Sequence, residues 1–581
     1  MKKLATFLLA LLVLTGCGGR KNKPLFEHAG GTFRMCIGSE LSTTRPNQII
    51  DVHSALVISQ VMEGLVSFNT KDLSIEPRLA ESWKVSNDKT SYTFKIREDV
   101  LFHENEFLSS EADRKLTMED IIFSFESLSK KDQHGNSTSA YASFFHGSIE
   151  GIDEFHEGTS KKISGISYKG QTLKIELQKP DANFLSKLAG VNAAIVSKKL
   201  AEAGKEDELI GTGPFKYDGT EQVDDRKQIV LSKNEDYYLS DEKGNALPYL
   251  DKIEFLIENK KLEELDLFEE GKTHYIEALP TSRISAMLEG RIKDFNSKPP
   301  LLILRNNPLL ATNYYFFNMK DPRFQDIRVR QAFNYAIRRN RITQTILKGQ
   351  AYENGIYGIT PPISRQFRSY DFKAIKAVSY SYDPEKAKKL LAEAGYPNGE
   401  GFGTVTLRLN VGDVHAAVAE DFSYQIFQVL GIHVNIDASS FEQKRQDANY
   451  LKGDLFRTAW FADYVSPESF LTNFYGKIVP KSMSEASKMN QSRYVNPAFD
   501  RLFEAAKSEE KKSKRMELFA KAEVELMKDP PLIPLWYNGD IQLLYSKVRN
   551  LHENPLNYFD FRSVYLHEWT KEEYEKHVRK N

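Results

Sequence analysis

Cysteine is nearly missing from this chain. Its 581 residues include two, Cys17 and Cys36, and no C-x-x-C pair, so a disulfide scaffold and a thiolate zinc site both lack support. Neither an H-E-x-x-H helix motif nor a G-x-S-x-G elbow occurs, which removes the sequence signatures of zinc and serine hydrolases. The twelve histidines are scattered, His103 among them. Charge of one sign is lacking too. Lys and Arg number 79 against 80 Asp and Glu, a balance that argues against general nucleic-acid binding. Beyond the N-terminus, no apolar stretch approaches the roughly 20 residues that span a bilayer. No internal repeat and no long low-complexity linker interrupts the chain. Gly211-Thr212-Gly213 and Gly399-Glu400-Gly401-Phe402-Gly403 lead into strand patterns, not helix starts, so they lack the amides that cradle phosphate. Paired carboxylates for glycoside hydrolysis cannot be picked from 80 acidic residues without geometry.

What is present begins with a secretory pattern. Lys2 and Lys3 precede an apolar run, Leu4 to Leu14, which is too short to span a bilayer and ends in small residues. Leu14-Thr15-Gly16-Cys17 resembles a bacterial lipobox, in which Cys17 is acylated and becomes the first mature residue. An ordinary signal peptide with an incidental cysteine, or a hydrophobic first strand, is the alternative. Residues 1–16 are then a signal peptide and 17–23 a lipidated polar tether. With 41% hydrophobic and 27% charged residues and a mean hydropathy of −0.47, the remainder can bury a large core and stay in water. Its length predicts two or three domains. Cys36, between Met35 and Ile37, reads as a small buried hydrophobe.

Strand and helix periods intermix along the whole length, favouring an α/β assembly. Tyr92, Phe94 and Ile96 alternate with polar residues, as do Leu173, Ile175 and Leu177. Thr117 and Asp120 have capping-box spacing ahead of Ile121, Phe125 and Leu128. Asp383 and Pro384 open a helix carrying Ala387, Leu390, Leu391 and Ala394 on one face, closed by Gly395 and Pro397. Ala332, Phe333, Ala336 and Ile337 predict another helix, whose flanking Arg328, Arg330, Arg338, Arg339 and Arg341 form a solvated basic face.

Several segments occur in the order of a known family. Pro77-Arg78-Leu79-Ala80-Glu81-Ser82-Trp83, followed by Tyr92-Thr93-Phe94-Lys95-Ile96-Arg97, resembles the signature of family 5 solute-binding proteins of ABC importers. Similar matches follow at Glu63–Val66, Val100–His103, Thr117–Ser124, Gly211–Phe215, Val329–Ile337, Tyr382–Ala387 and Pro531–Leu535. The resemblance covers roughly residues 32 to 566. Thr44-Arg45-Pro46 departs from the family's usual Leu-Asp-Pro, and residues 568–581 read as an added charged helix. The resemblance implies a type II periplasmic-binding-protein-like fold of three lobes. Lobe I takes 24–66, 186–300 and 528–581, lobe II takes 67–185, and lobe III takes 301–527. Crossings near Leu301 and Lys528 form the hinge, with ligand enclosed between lobes I and III.

Within that resemblance, Arg457-Thr458-Ala459-Trp460-Phe461-Ala462-Asp463-Tyr464 is similar to a segment of oligopeptide binders. It implies that Asp463 pairs with a peptide α-ammonium, that the Phe461 backbone pairs with the peptide main chain, and that Arg457 meets a peptide carboxylate. An ionised aspartate supplies both the opposite charge and the acceptors that a desolvated ammonium needs. Alternatives remain for each residue. Asp463 could cap the turn before Pro467, Arg457 could pair with Asp454, and Trp460 could be core. Glu40 is a further candidate pocket carboxylate, with a solvated turn as its alternative.

The resulting expectation is a monomeric, non-enzymatic, lipid-anchored binding protein. Its partners are a peptide-like ligand, ABC permease subunits and a membrane reached through the lipid alone. No cofactor, metal or nucleic acid is expected. A nickel chelate, haem or an oligosaccharide on the same fold is the close alternative cargo, and a lipid-anchored hydrolase is the alternative from another class.

Overall fold

The computed structural model describes residues 23–363 and 367–578. The signal peptide, Cys17 and the tether up to residue 22 lie outside the described residues. Within them, no helix is long and apolar enough to cross a membrane.

Period-two patterns become strands. Tyr92, Phe94 and Ile96 lie on Ser91–Ile96, and Leu173 and Ile175 on Thr172–Glu176. These strands pair antiparallel inside a four-stranded sheet completed by Ala80–Val85 and Ile166–Lys169. Beside it runs the helix Met118–Ser129. Its capping box forms as the spacing predicts, with the Thr117 amide donating to Asp120 Oδ2 at 2.9 Å and the Asp120 amide donating to Thr117 Oγ1 at 3.2 Å. Asp383 caps Pro384–Glu393 through the Lys386 amide.

The basic helix is corrected. Ile327–Tyr335 forms, and Arg328, Arg338 and Arg341 do reach solvent, but two of the five arginines do not. Arg330 and Arg339 are buried, Arg330 in an ion pair with Asp529. Arg339 donates to the carbonyls of Pro534, Asn334 and Tyr380. Five fixed donors let a guanidinium bind carbonyls that a strand leaves free, so here arginine fastens a helix to the C-terminal part of the chain.

The centre of the molecule is one mixed sheet. Its strands are β1 (Thr32–Ile37), β2 (Phe215–Val223), β3 (Arg226–Lys233), β4 (Lys252–Ile257), β5 (Tyr275–Glu277) and β6 (Leu302–Phe317). They continue with β7 (Ala351–Asn354), β8 (Val405–Asn410), β9 (Val434–Ser439), β10 (Leu455–Phe461) and β11 (Leu532–Tyr545). Across the sheet they run β9-β8-β10-β6-β11-β5-β1-β4-β3-β2, with β7 added on β11. β8 and β9 are parallel, whereas β6 is antiparallel to both β10 and β11.

β6 and β11 tie the two halves of this sheet together. Near one end, β6 pairs from Leu302↔Tyr545 to Pro308↔Gly539; near the other, from Thr312↔Tyr537 to Phe316↔Leu532. The register shifts between Pro308 and Thr312, where three β6 residues face one on β11. Such a bulge bends the strand and interrupts its ladder.

The apolar run at the end of β6 is buried on both faces, as adjacent strand residues point opposite ways. Tyr315 and Phe317 pack with Phe333, Leu407 and Phe422. Tyr314 and Phe316 pack with Phe470, Phe499 and Phe519. A separate core around Phe33, Val57, Phe255, Leu544 and Phe561 covers the other half of the sheet. Another, around Phe94, Phe125 and Leu173, fills the module of the four-stranded sheet. Cys36 is buried on the face of β1 opposite Phe33, Met35 and Ile37, near Glu264 and Lys261.

Candidate ligand-binding site

β10 is held on one edge only. Along β6 it pairs residue by residue, from Leu455↔Phe317 to Phe461↔Ala311. On its other edge β8 meets only Leu455 and Phe456. From Arg457 onward that edge has no strand neighbour among the described residues. Unpaired backbone donors and acceptors on a strand edge are a template for another extended chain.

Asp463 follows this edge directly. Its amide donates to Ser469 Oγ at 3.0 Å, and the Ser469 hydroxyl donates back to Asp463 Oδ2 at 3.2 Å. No cation pairs with it among the described residues. The side chain is partly exposed, with protein packed densely around it. Burial pushes its carboxyl up to about 7, and the Ser469 bond only partly opposes this. Asp463 does not cap the following turn. Ser466 caps Pro467–Leu471 instead.

Arg457 lies on the same strand and is likewise without a counter-ion. Its guanidinium donates to Asn410 Oδ1 at 3.2 Å and Asn313 Oδ1 at 2.9 Å. Asp454, its possible partner in the sequence, is taken by Arg323 at 2.9 Å. Burial draws Arg457 down to about 10, with the Tyr315 phenol opposing slightly.

The other candidates divide. Trp460 packs partly buried against the core holding Phe456 and Phe470, and its indole N–H reaches Ser469 Oγ at 3.4 Å. Phe461 is the last paired residue of β10, opposite Ala311. Glu40 is corrected: it follows β1, its side chain is 54% exposed, and it pairs with Lys227 at 2.6 Å. A solvated, paired carboxylate has no unmet charge to offer a ligand.

Two contacts beside Asp463 were not legible in the sequence. Tyr464 is buried in the core of the four-stranded module, far away in the chain. Glu468 is buried as well, accepting from Lys187 Nζ at 3.0 Å and Asn183 Nδ2 at 2.6 Å. Burial alone raises the Glu468 carboxyl, but Lys187, Lys507 and Asn183 override it and hold it at about 2. Nothing local marks either end of an ion pair whose partners lie 281 residues apart.

Residues 74–479 match the family described as bacterial extracellular solute-binding proteins, family 5 Middle. The chain belongs to this family. The periplasmic oligopeptide-binding protein OppA of Escherichia coli is 27% identical over 544 residues, covering 91% of each chain. Heme-binding protein A of Haemophilus influenzae is 26% identical over 596 residues, covering 97% of this chain and 99% of that one. Relatives of equal similarity are thus named for different cargoes, and similarity alone does not choose between them. Among solved structures, the periplasmic binding protein DppA of Helicobacter pylori in complex with peptide STSA superposes with a TM-score of 0.78. It is 26% identical and covers 93% of this chain and 99% of its own. The Escherichia coli murein tripeptide binding protein MppA gives 0.76 at 25% identity over 93% of this chain and 99% of that one. The unliganded open form of MppA gives 0.62 at 25% identity over 94% and 98%. The arrangement here is thus more similar to the first MppA structure than to its open form. The fold is the α/β type II periplasmic-binding-protein fold, as the family 5 resemblance implies, and the family is one of substrate-binding proteins.

Proposed function

We propose that this family 5 protein is the substrate-binding component of an ABC importer, and that it captures peptides with a free α-ammonium by closing lobes around them. One observation carries the peptide reading: an enclosed Asp463 carboxylate without a cation, at the end of a strand edge without a neighbour. A peptide supplies both missing parts, an ammonium for the carboxylate and an extended main chain for the edge. Main-chain pairing gives affinity with little regard to side chains. A neutral sugar does not require a carboxylate to meet an ammonium. On this reading the protein binds without catalysing.

Lobe I comprises 24–66, 186–300 and 528–581, lobe II 67–185 and lobe III 301–527, with β6 and β11 as the crossing strands. The crossings near Leu301 and Lys528 are the hinge, where a few torsions can absorb the motion of rigid lobes; the register shift between Pro308 and Thr312 lies just past the first of them. The contacts of Lys187 and Asn183 with Glu468 hold the closed form. The mature chain is extracytoplasmic and monomeric, anchored through acylated Cys17, and its closed surface is what the permease recognises.

The test is to purify the protein under native conditions, release its ligand by denaturation and identify it by mass spectrometry. Peptides with free N-termini are expected. A nickel chelate, haem or an oligosaccharide in stoichiometric amount overturns the reading.

A further inference from the structure

Around the carboxyl ends of β8 and β9, and on the neighbouring strand β10, positive charge collects that nothing among the described residues neutralises. β8 ends at Asn410 and is followed by the helix α1 (Asp413–Leu430), whose first turn carries His415. β9 ends at Ser439 and is followed by α2 (Phe441–Asn449), which carries Lys444. Arg457 stands on β10, just past the last pairing of that strand with β8. The crevice outside the carboxyl ends of parallel strands is where ligands bind in open α/β sheets.

Lys444 is the least expected of the three. In the sequence Phe441-Glu442-Gln443-Lys444-Arg445-Gln446 it reads as part of a solvated helix face, yet it is only 4% exposed. Its ammonium has no hydrogen bond and no ion pair among the described residues, and it lies 5.2 Å from the centre of the Phe441 ring. Burial, then Arg457 and Arg445, pull its amine down to about 7. Its neighbour Arg445 is paired with Glu442 at 2.8 Å, and the nearby Arg408 with Asp437 at 2.6 Å, so those cations are satisfied locally. Nδ1 of His415 is buried without a partner, and His415 feels both Arg457 and Lys444. Asn313, Tyr315, His415, Arg457 and Trp536 converge on a crevice too narrow in this conformation to admit a water.

Counting charge across the site gives a recognisable complement. Asp463 lacks one cation, while Arg457 and Lys444 together lack two anions. A neutral zwitterionic peptide satisfies Asp463 and one of the two basic groups, and leaves the other buried and unpaired. An unpaired buried amine sheds its proton and contributes nothing to binding, whereas a second carboxylate keeps Lys444 charged and gains the pair, so Lys444 selects for a second anion.

We infer that the site selects peptides whose carboxyl-terminal end carries two negative charges, the terminal carboxylate and an acidic side chain beside it, with Lys444 as the specificity-determining residue. Arg457, with its planar donors, takes one carboxylate, Lys444 takes the other, and the free Nδ1 of His415 completes the hydrogen bonding. This inference rests on the peptide reading above.

The experiment uses the full mature chain, freed of ligand by unfolding and refolding, and isothermal calorimetry at pH 7. The probes are Ala-Ala-Glu against Ala-Ala-Gln and Ala-Glu-Ala against Ala-Gln-Ala. Each pair differs by a charge at nearly constant shape. The acidic peptide is expected to bind at least tenfold more tightly in one of the pairs. In Lys444→Met that ratio should fall close to one. The melting temperature of the empty variant should rise, because an unpaired buried cation is replaced by an apolar chain of similar size; this also shows that the variant folds. Equal binding of acidic and amide peptides by the wild-type protein overturns the inference and leaves the peptide reading standing. So does a preference that survives in Lys444→Met. Failure of every peptide to bind, with a non-peptide cargo recovered from native protein, overturns both together.

Discussion

Asp463 makes a prediction that can be read in protons. In the empty protein its carboxyl sits at about 7 because it is buried without a cation. That is about 3 units above an exposed aspartate, corresponding to at most about 4 kcal/mol of differential stabilisation. At pH 6 such a group is about 90% protonated, whereas the α-amine of a peptide, with a pKa of about 7.7–8.0, is already charged. Pairing ionises Asp463, so binding a neutral tripeptide at pH 6 should release close to one proton. Calorimetry in buffers of different ionisation enthalpy measures this directly. The sign for affinity follows: binding tightens as pH rises from 5 towards 7, because less work is then needed to ionise Asp463. The sign for stability is opposite. A folded pKa above the unfolded one costs the empty protein stability as pH rises from about 4, and the cost is complete above about 7. Asp463→Asn should therefore abolish proton release and stabilise the empty protein near pH 8. It should also weaken free-amine peptides by about 2 kcal/mol, roughly thirtyfold, allowing for partial hydration of the site. The N-acetylated peptide lacks the ammonium and should change little, which closes a double-mutant cycle on the pair. Equal losses for both ligands, or unchanged proton release in the variant, would refute the reasoning.

The remaining predictions concern closure and anchoring. Glu468→Gln leaves the buried Lys187 ammonium with Asp181 alone and should destabilise the closed form by about 3–5 kcal/mol, seen as a lower melting temperature. Since Glu468 is held at about 2, its contribution is present above the ordinary glutamate pKa and fades as pH falls towards 2. A variant that melts like the wild type would remove it from the latch. If lobes I and III close about the crossings near Leu301 and Lys528, saturating peptide should reduce the radius of gyration of the ligand-free protein and raise its melting temperature; an unchanged radius at saturation counts against closure. Cys17→Ser should end fatty-acid labelling and move the protein to the soluble fraction, and equal membrane retention would defeat the lipid anchor.

Local chemistry was legible residue by residue. Thr117 with Asp120, and Asp383 with Pro384, determine helix starts through contacts spanning one turn, so the sequence carries all their information. The alternation around Phe94 and Leu173 likewise determines which face of a strand is buried. Asp463 could be singled out because an apolar run ends abruptly in a carboxylate. Its lack of a counter-ion could not, since partners come from anywhere in the chain. Arg457 and Arg330 look alike in the sequence, yet Arg330 meets Asp529 and Arg457 meets only amides. Glu40 and Glu468 look alike too; one is solvated beside Lys227, and the other is buried against Lys187. Lys444 sits among polar residues that promise solvent and receives none. The sequence by itself determined the local elements, the periodic faces and the family. The tertiary structure alone decided which charges were paired and which were left for a ligand, because the energy of a charge depends on what surrounds it in space rather than on its neighbours in the chain.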